Sequence, residues 1–275
     1  MNLAKETLRQ LADPTLTLNE QAQLRCRLAK QLEELGNYEE AREALGELWQ
    51  QVCERPEIEG LDQRTAAKVL LRAGVLTGWI GSVRQIEGSQ ETAKNLISES
   101  MRFFEALQDE EKIAEAQSEL AYCYWREGAF NEARVMLQEA LGRVKEINNE
   151  VKAVALLRSA IVERSAKRFN DALRIDTEAA PLFEKYGCHL LKAKFHNGFA
   201  NDLNYLGTAE RREDYLDRAL LEYTAASFYF EQAGHTRYQA YVENNLGFLF
   251  STVGKFAEAH EHLDRAQALF TTLKD

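Results

Sequence analysis

The side chains able to do acid–base or metal chemistry are few and poorly spaced for it. The histidines are His189, His196, His235, His260 and His262. The last two lie two residues apart, which on a helix points them to different faces and prevents a shared metal ion. The cysteines Cys26, Cys53, Cys123 and Cys188 are too scattered for a zinc or CxxC arrangement and read as reduced packing residues. No glycine-rich phosphate loop and no nucleophile elbow occurs, and paired acids such as Glu110 and Glu111 read as solvated helix residues. We therefore expect no catalytic residue, no metal and no cofactor.

Recognition chemistry is better represented. Arg72, Trp79, Tyr122, Trp125, Arg158, Arg164 and Lys194 are expected on one face, with Asn197, Asn201, Asn204, Tyr241, Asn244 and Asn245 continuing it. Asparagine amides offer donors and acceptors to a peptide backbone, cations pair with carboxylates, and aromatic rings supply anchor area. Asn is a poor helix-interior residue, so five on one stripe ask for a reason. From residue 68 onward the stripe carries six basic residues (68, 72, 126, 158, 164, 194) against Glu115 and Glu119, in a chain of formal charge -10. Lys30, Glu33 and Glu34 look like an ordinary solvated face. Gly78, beside Trp79, would either admit a close ligand or permit a tight helix crossing. Glu163 and Asp176 fall on the apolar side, with His196 a candidate partner for Asp176.

A repeat must position these residues. A small residue, then Gly seven residues later, an aromatic two beyond it and Ala three beyond that occurs as Ala121, Gly128, Phe130, Ala133. It recurs as Ala29, Gly36, Tyr38, Ala41 and as Gly247, Gly254, Phe256, Ala259. A fourth copy keeps Ala160, Phe169 and Ala172 but has Lys167 for Gly. Two more carry seven extra residues between the small residue and Ala, at Gly74 to Ala93 and Ala200 to Ala219. Seven residues make about two helical turns, so we expect one turn added to each helix rather than a protruding loop. Gly81 is expected at the turn position. The small residues at 29, 74, 121, 160, 200 and 247 give a period close to 40 once the inserts are subtracted. Each unit is a helix pair that cannot bury its apolar stripes alone, and stacking neighbours buries them. Thr17 with Glu20 forms a capping-box start.

This grammar resembles the tetratricopeptide repeat over nearly all of residues 18 to 273, in its looser-period form. The resemblance implies an all-α, right-handed superhelical solenoid of about six hairpins, at about 18–55, 63–108, 111–147, 150–187, 190–234 and 237–273, forming a single domain over 1–275. The first helices would line a concave, partner-binding face. The runs "GWIGSVRQIEGSQETAKNLISES" and "AYCYWREGAFNEARVMLQEAL" more specifically resemble the repeat segment of bacterial regulators that end in a small helix-turn-helix, of which none is visible here. The apolar stripe Leu263, Ala266, Leu269, Phe270, Leu273 then implies an array that continues beyond this segment, or a self-association seam.

The net charge of -10 disfavours nucleic acid as a partner. No signal-peptide-like run opens the chain, and no stretch reads as a membrane span, so we expect a cytoplasmic location. The expected function is a protein- or peptide-binding module, the sensor or scaffold part of a bacterial regulator, for a partner with an acidic or carboxylate feature. The alternatives are a small-molecule sensor and a homo-oligomerisation scaffold.

Overall fold

The computed structural model describes residues 7, 9–11, 13, 15–146 and 149–273. From Leu18 onward the described residues form twelve α-helices and one 3-10 turn. The chain divides into two compact units, residues 1–145 and 146–275. The first holds the pairs α1 (Leu18–Glu34) and α2 (Tyr38–Leu45), α3 (Gln63–Arg84) and α4 (Ser89–Ala106), α5 (Glu110–Arg126) and α6 (Phe130–Arg143). The second holds α7 (Glu150–Ser165) and α8 (Phe169–Lys185), α9 (His189–Glu210) and α10 (Glu213–Gln232), α11 (Thr236–Thr252) and α12 (Phe256–Thr272). The first helices of the six pairs start at residues 18, 63, 110, 150, 189 and 236.

Local chemistry accounts for the boundaries. At the start of α1 the Glu20 amide donates to Thr17 Oγ1 at 3.3 Å and the Thr17 amide donates to Glu20 Oε2 at 2.8 Å, closing the capping box. Asp62 caps α3 by accepting from the Thr65 amide at 2.8 Å. Gly36, Gly128 and Gly254 end their helices at φ between 77° and 78°, the left-handed conformation that glycine adopts without a Cβ penalty.

Lys167 holds the same turn at φ 61°. A side chain there costs about 1 kcal/mol that glycine avoids. Lys167→Gly is expected to raise the stability of the 146–275 unit by roughly 0.5–1 kcal/mol, read as a higher urea midpoint with an unchanged slope.

The two inserts lengthen helices. α3 and α9 have 22 residues each, against 16 or 17 in α5, α7 and α11. Their turns use Gln85 and Arg211, both left-handed. Gly81 is therefore not the turn residue expected of it: it lies inside α3, where a Cβ would come within 2.2 Å of Ser89 Cβ. It is a close-approach glycine, as Gly207 is against Leu216 in α9.

The packing positions follow the repeat. Ala29, Ala121, Ala160 and Ala200 on first helices are fully buried, as are Ala41, Ala93, Ala133, Ala172 and Ala219 on second helices. A Cβ on Gly74 would stand 2.7 Å from Ile97 Cγ1, and one on Gly247 2.6 Å from Leu263 Cγ. The small residues let paired helices approach, and in two repeats the aromatic after the turn reaches the next pair: Tyr38 stacks on Trp79 and Phe169 on Tyr205. Phe256 departs from this at 70% exposed. Along the α12 stripe Ala266 is buried, Leu263 meets Gly247 and Phe270 meets Tyr241 edge-on at 5.3 Å, while Leu263 and Leu273 stay exposed.

One helix departs from the reading of the sequence. α3 is long and apolar enough to cross a membrane by composition, with mean hydropathy 1.2 over its best window. That window is 78% buried within the protein, as the central helix of a packed repeat array would be. All four cysteines are free thiols; Cys26 and Cys123 are buried, and Cys188 is exposed.

Candidate functional site

In the 146–275 unit, three of the expected residues converge on one groove. Arg164 comes from the last turn of α7, Asn201 and Asn204 from α9, and they share a cavity of about 500 Å³ with Phe169, Tyr205 and Tyr223. The 3.6-residue period brings Asn201, Asn204, Tyr205 and Thr208 onto one face of α9. Tyr205 is half exposed and lies flat on Phe169 at 3.6 Å between ring centroids. The Tyr223 hydroxyl donates to Asn201 Oδ1 at 2.7 Å. Burial pushes the Tyr223 phenol up to about 12, so it remains a hydroxyl donor at ordinary pH. This bond turns the Asn201 carboxamide oxygen inward and leaves its NH₂ for a ligand. The groove thus combines an aromatic platform with carboxamides.

Beneath it, Arg164 is committed to carboxylates. Its Nε and Nη2 donate to Asp202 Oδ1 and Oδ2 at 2.6 and 2.8 Å, and Nη2 also donates to Asp176 Oδ2 at 3.2 Å. Both aspartates are fully buried. Gly198 lets the guanidinium lie against α9, where a Cβ would stand 3.0 Å from Nη2. His196 is not the partner of Asp176: its Nδ1 meets Glu222 Oε2 at 2.7 Å and its ring stacks on Tyr229. Glu163 is buried and pairs with Arg168 at 3.1 Å.

Asp176 Oδ1 has no hydrogen-bond partner. Burial drives its carboxyl well above the ordinary range; Arg164 opposes that rise, and the Asp202 carboxylate adds to it. An acid raised in this way contributes stability that is complete below its unfolded pKa and is lost as pH rises through the folded value. Asp176→Asn removes that loss while keeping the shape. The variant is expected to be more stable than the parent near neutrality, with the difference shrinking in acid, as read by thermal unfolding across pH.

In the 1–145 unit the expected residues form two groups. Arg72, 5% exposed, is ion-paired to Glu33 and lies 3.5 Å from Glu115, with Glu119 nearby. Glu115, counted as an opposing acid on the stripe, is thus a partner of the cation. Trp79, Tyr122 and Trp125 form a ring ladder with Tyr38: centroid distances are 4.8 Å (Tyr38–Trp79), 5.2 Å (Trp79–Tyr122) and 4.8 Å (Tyr122–Trp125). The Arg126 guanidinium covers it, 4.0 Å from the Trp79 centroid and 4.5 Å from that of Tyr122. Gly78 admits this guanidinium, 3.1 Å from where a Cβ would stand, and its carbonyl accepts from Gln90 Nε2 at 2.8 Å. The close neighbour that Gly78 permits is thus a side chain of the protein itself.

The remaining expected residues lie apart from the groove's lining. Arg158 and Lys194 are half-buried on α7 and α9, and Asn197 has a buried Oδ1 without a partner. Tyr241 is exposed on α11, with Asn244 and Asn245 half-buried beside it. The sequence reading missed Tyr223, which lies on a second helix, and Asp202, which sits one residue from Asn201 and points the other way. A buried acid beside a groove residue is visible only once the helix face is fixed.

No family model and no curated protein sequence matches the chain. Among solved structures, BtubC (BKLC) from P. vanneervenii matches at 19% identity over 98% of this chain and 92% of that one, with a TM-score of 0.59. A Rap protein complexed with competence and sporulation factor matches at 14% identity over 100% and 72%, with a TM-score of 0.67. The nearly identical TPR-like repeats of a Podosopora anserina kinesin light chain match at 14% over 74% and 96%, with a TM-score of 0.52. At such identities the likeness is one of fold: the chain is an all-α, tetratricopeptide-type repeat solenoid.

Proposed function

We propose that the chain is a peptide-binding module, the sensor or scaffold part of a bacterial regulatory protein, and that an extended segment of its partner lies in the groove of the 146–275 unit. The observation that carries this reading is the convergence of Asn201, Asn204 and the Tyr205–Phe169 platform on one cavity of about 500 Å³. Carboxamides at helical spacing match the donors and acceptors of a peptide backbone, and a flat aromatic pair supplies contact area without demanding one side chain. The match to a Rap protein complexed with competence and sporulation factor supports the same use of the fold.

The acidic feature expected of the partner gains little from this geometry. Arg164 is held by Asp202 and Asp176, and Arg72 by Glu33 and Glu115. Recognition therefore rests on amides and rings rather than on a carboxylate. Self-association through α12 would use Leu263 and Leu273, which stay exposed, while Ala266 is buried and Phe270 meets Tyr241.

The test is a display selection of random peptides on the full chain, followed by affinity measurement on Asn204→Ala and Tyr205→Ala. Both side chains lie outside the core, so the fold should persist. Each variant is expected to weaken the selected peptides by about tenfold, the equivalent of about 1.4 kcal/mol. Peptides that bind both variants as well as the parent would remove this groove as the site.

A further inference from the structure

A second cavity lies wholly within the 1–145 unit, where three first helices bring cations together. Arg27 and Lys30 come from α1, Lys68 and Arg72 from α3, and Lys112 with Glu115 from α5; together they line a space of about 170 Å³. Spacings of i, i+3 or i, i+4 within each helix put the members on one face. In an acidic protein this is a concentration of positive charge.

The cations are not equivalent. Arg72 is held by Glu33 and Glu115; Lys112 lies 2.6 Å from Glu115, and Lys30 lies 3.6 Å from it. These pairs neutralise the floor of the cavity. Arg27 and Lys68 form no ion pair among the described residues, and both line the same space. Arg27 is exposed and Lys68 half-buried, so a solute can reach them.

We propose that this cavity binds a phosphate group. Two cations outside any ion pair suit a group carrying close to two negative charges near neutrality, and a guanidinium fork and an ammonium lining one cavity suit tetrahedral oxygens. The volume is below the ~300–1,000 Å³ of pockets that enclose a drug-sized ligand. It admits the phosphate and little of whatever carries it. The site shares no residue with the peptide groove and stands or falls independently of it.

Calorimetric titration of the full chain at fixed ionic strength tests the proposal, with inorganic phosphate and phosphoserine as probes and acetate as control. Saturable phosphate binding is expected, weakening as pH falls through the second phosphate ionisation of each probe, about 6 for phosphoserine and higher for inorganic phosphate. Arg27→Gln/Lys68→Gln is expected to reduce affinity by roughly ten- to a hundredfold while preserving helicity and peptide binding. Equal affinity for both probes would identify free phosphate as the ligand, and tighter phosphoserine binding would identify a phosphate monoester. No saturable binding, equal binding of acetate, or undiminished affinity in the double variant would overturn the proposal.

Discussion

Replacing Asp202 by alanine is expected to lower the stability of the 146–275 unit by about 3–5 kcal/mol, because it leaves a largely buried guanidinium without its bidentate partner. Arg164 makes its two shortest charged bonds to Asp202, and the remaining carboxylate, Asp176, reaches only Nη2 at 3.2 Å. Alanine would also open space beneath the groove. The neighbouring substitution Asp176→Asn should act in the opposite direction near neutrality, since it removes the poorly satisfied member of two buried acids sharing one cation. Opposite signs for two aspartates on the same arginine form a specific signature. Chemical denaturation of the two variants measures it, and loss of stability in both would contradict the assignment.

The second large effect belongs to Arg72→Ala. Glu33, Glu115 and Glu119 then face one another in a poorly solvated place, and a loss of about 3–5 kcal/mol from the 1–145 unit is expected. Burial works against the charged form of Glu115, yet Lys30, Lys112 and Arg72 together hold its carboxyl down to about 2, against an ordinary 4.5. An acid depressed in this way contributes stability above its unfolded pKa and loses it as pH falls through the folded value. The difference corresponds to about 3 kcal/mol that disappears between roughly pH 4.5 and 2. In Arg72→Ala the Glu115 carboxyl rises toward its ordinary value, so acid unfolding begins from a lower plateau and depends less steeply on pH over that interval. An acid titration followed by circular dichroism separates this from simple loss of packing, which would leave the slope unchanged.

The contrast between these networks and the repeat frame explains what could be read from the sequence. Ala29, Ala121, Ala160 and Ala200 were legible because helix packing allows few residue types at a close crossing, and the same constraint recurs in each pair. The seven-residue inserts were legible as longer helices because they preserve the apolar register. Gly81 was misassigned for the same reason that it is informative: glycine serves both turns and close contacts, and only the chain's continuation to Arg84 separates the two.

The candidate site was legible in part. Asn201, Asn204 and Arg164 follow from the helix face once the packing residue is known. The charge state of that face does not follow, because Arg72 and Arg164 take their carboxylates from other helices, at distances that depend on how closely the pairs approach. His196 was matched with the wrong acid because Arg164 had already taken Asp176, leaving Glu222, four residues after Arg218, as the partner within reach. Net charge along a stripe is therefore a poor guide to free charge in a folded groove.

The most direct test of the account is to place a photo-crosslinking residue at position 208, on the rim of the groove, and separately at position 135, where Val135 is half exposed in the other unit. Each is then irradiated with a peptide selected on the full chain. Crosslinking from 208 and not from 135 is the expected result, placing the bound segment over Asn204 and Tyr205. Crosslinking from 135 alone, or equally from both, would contradict the assignment of the peptide site to this groove.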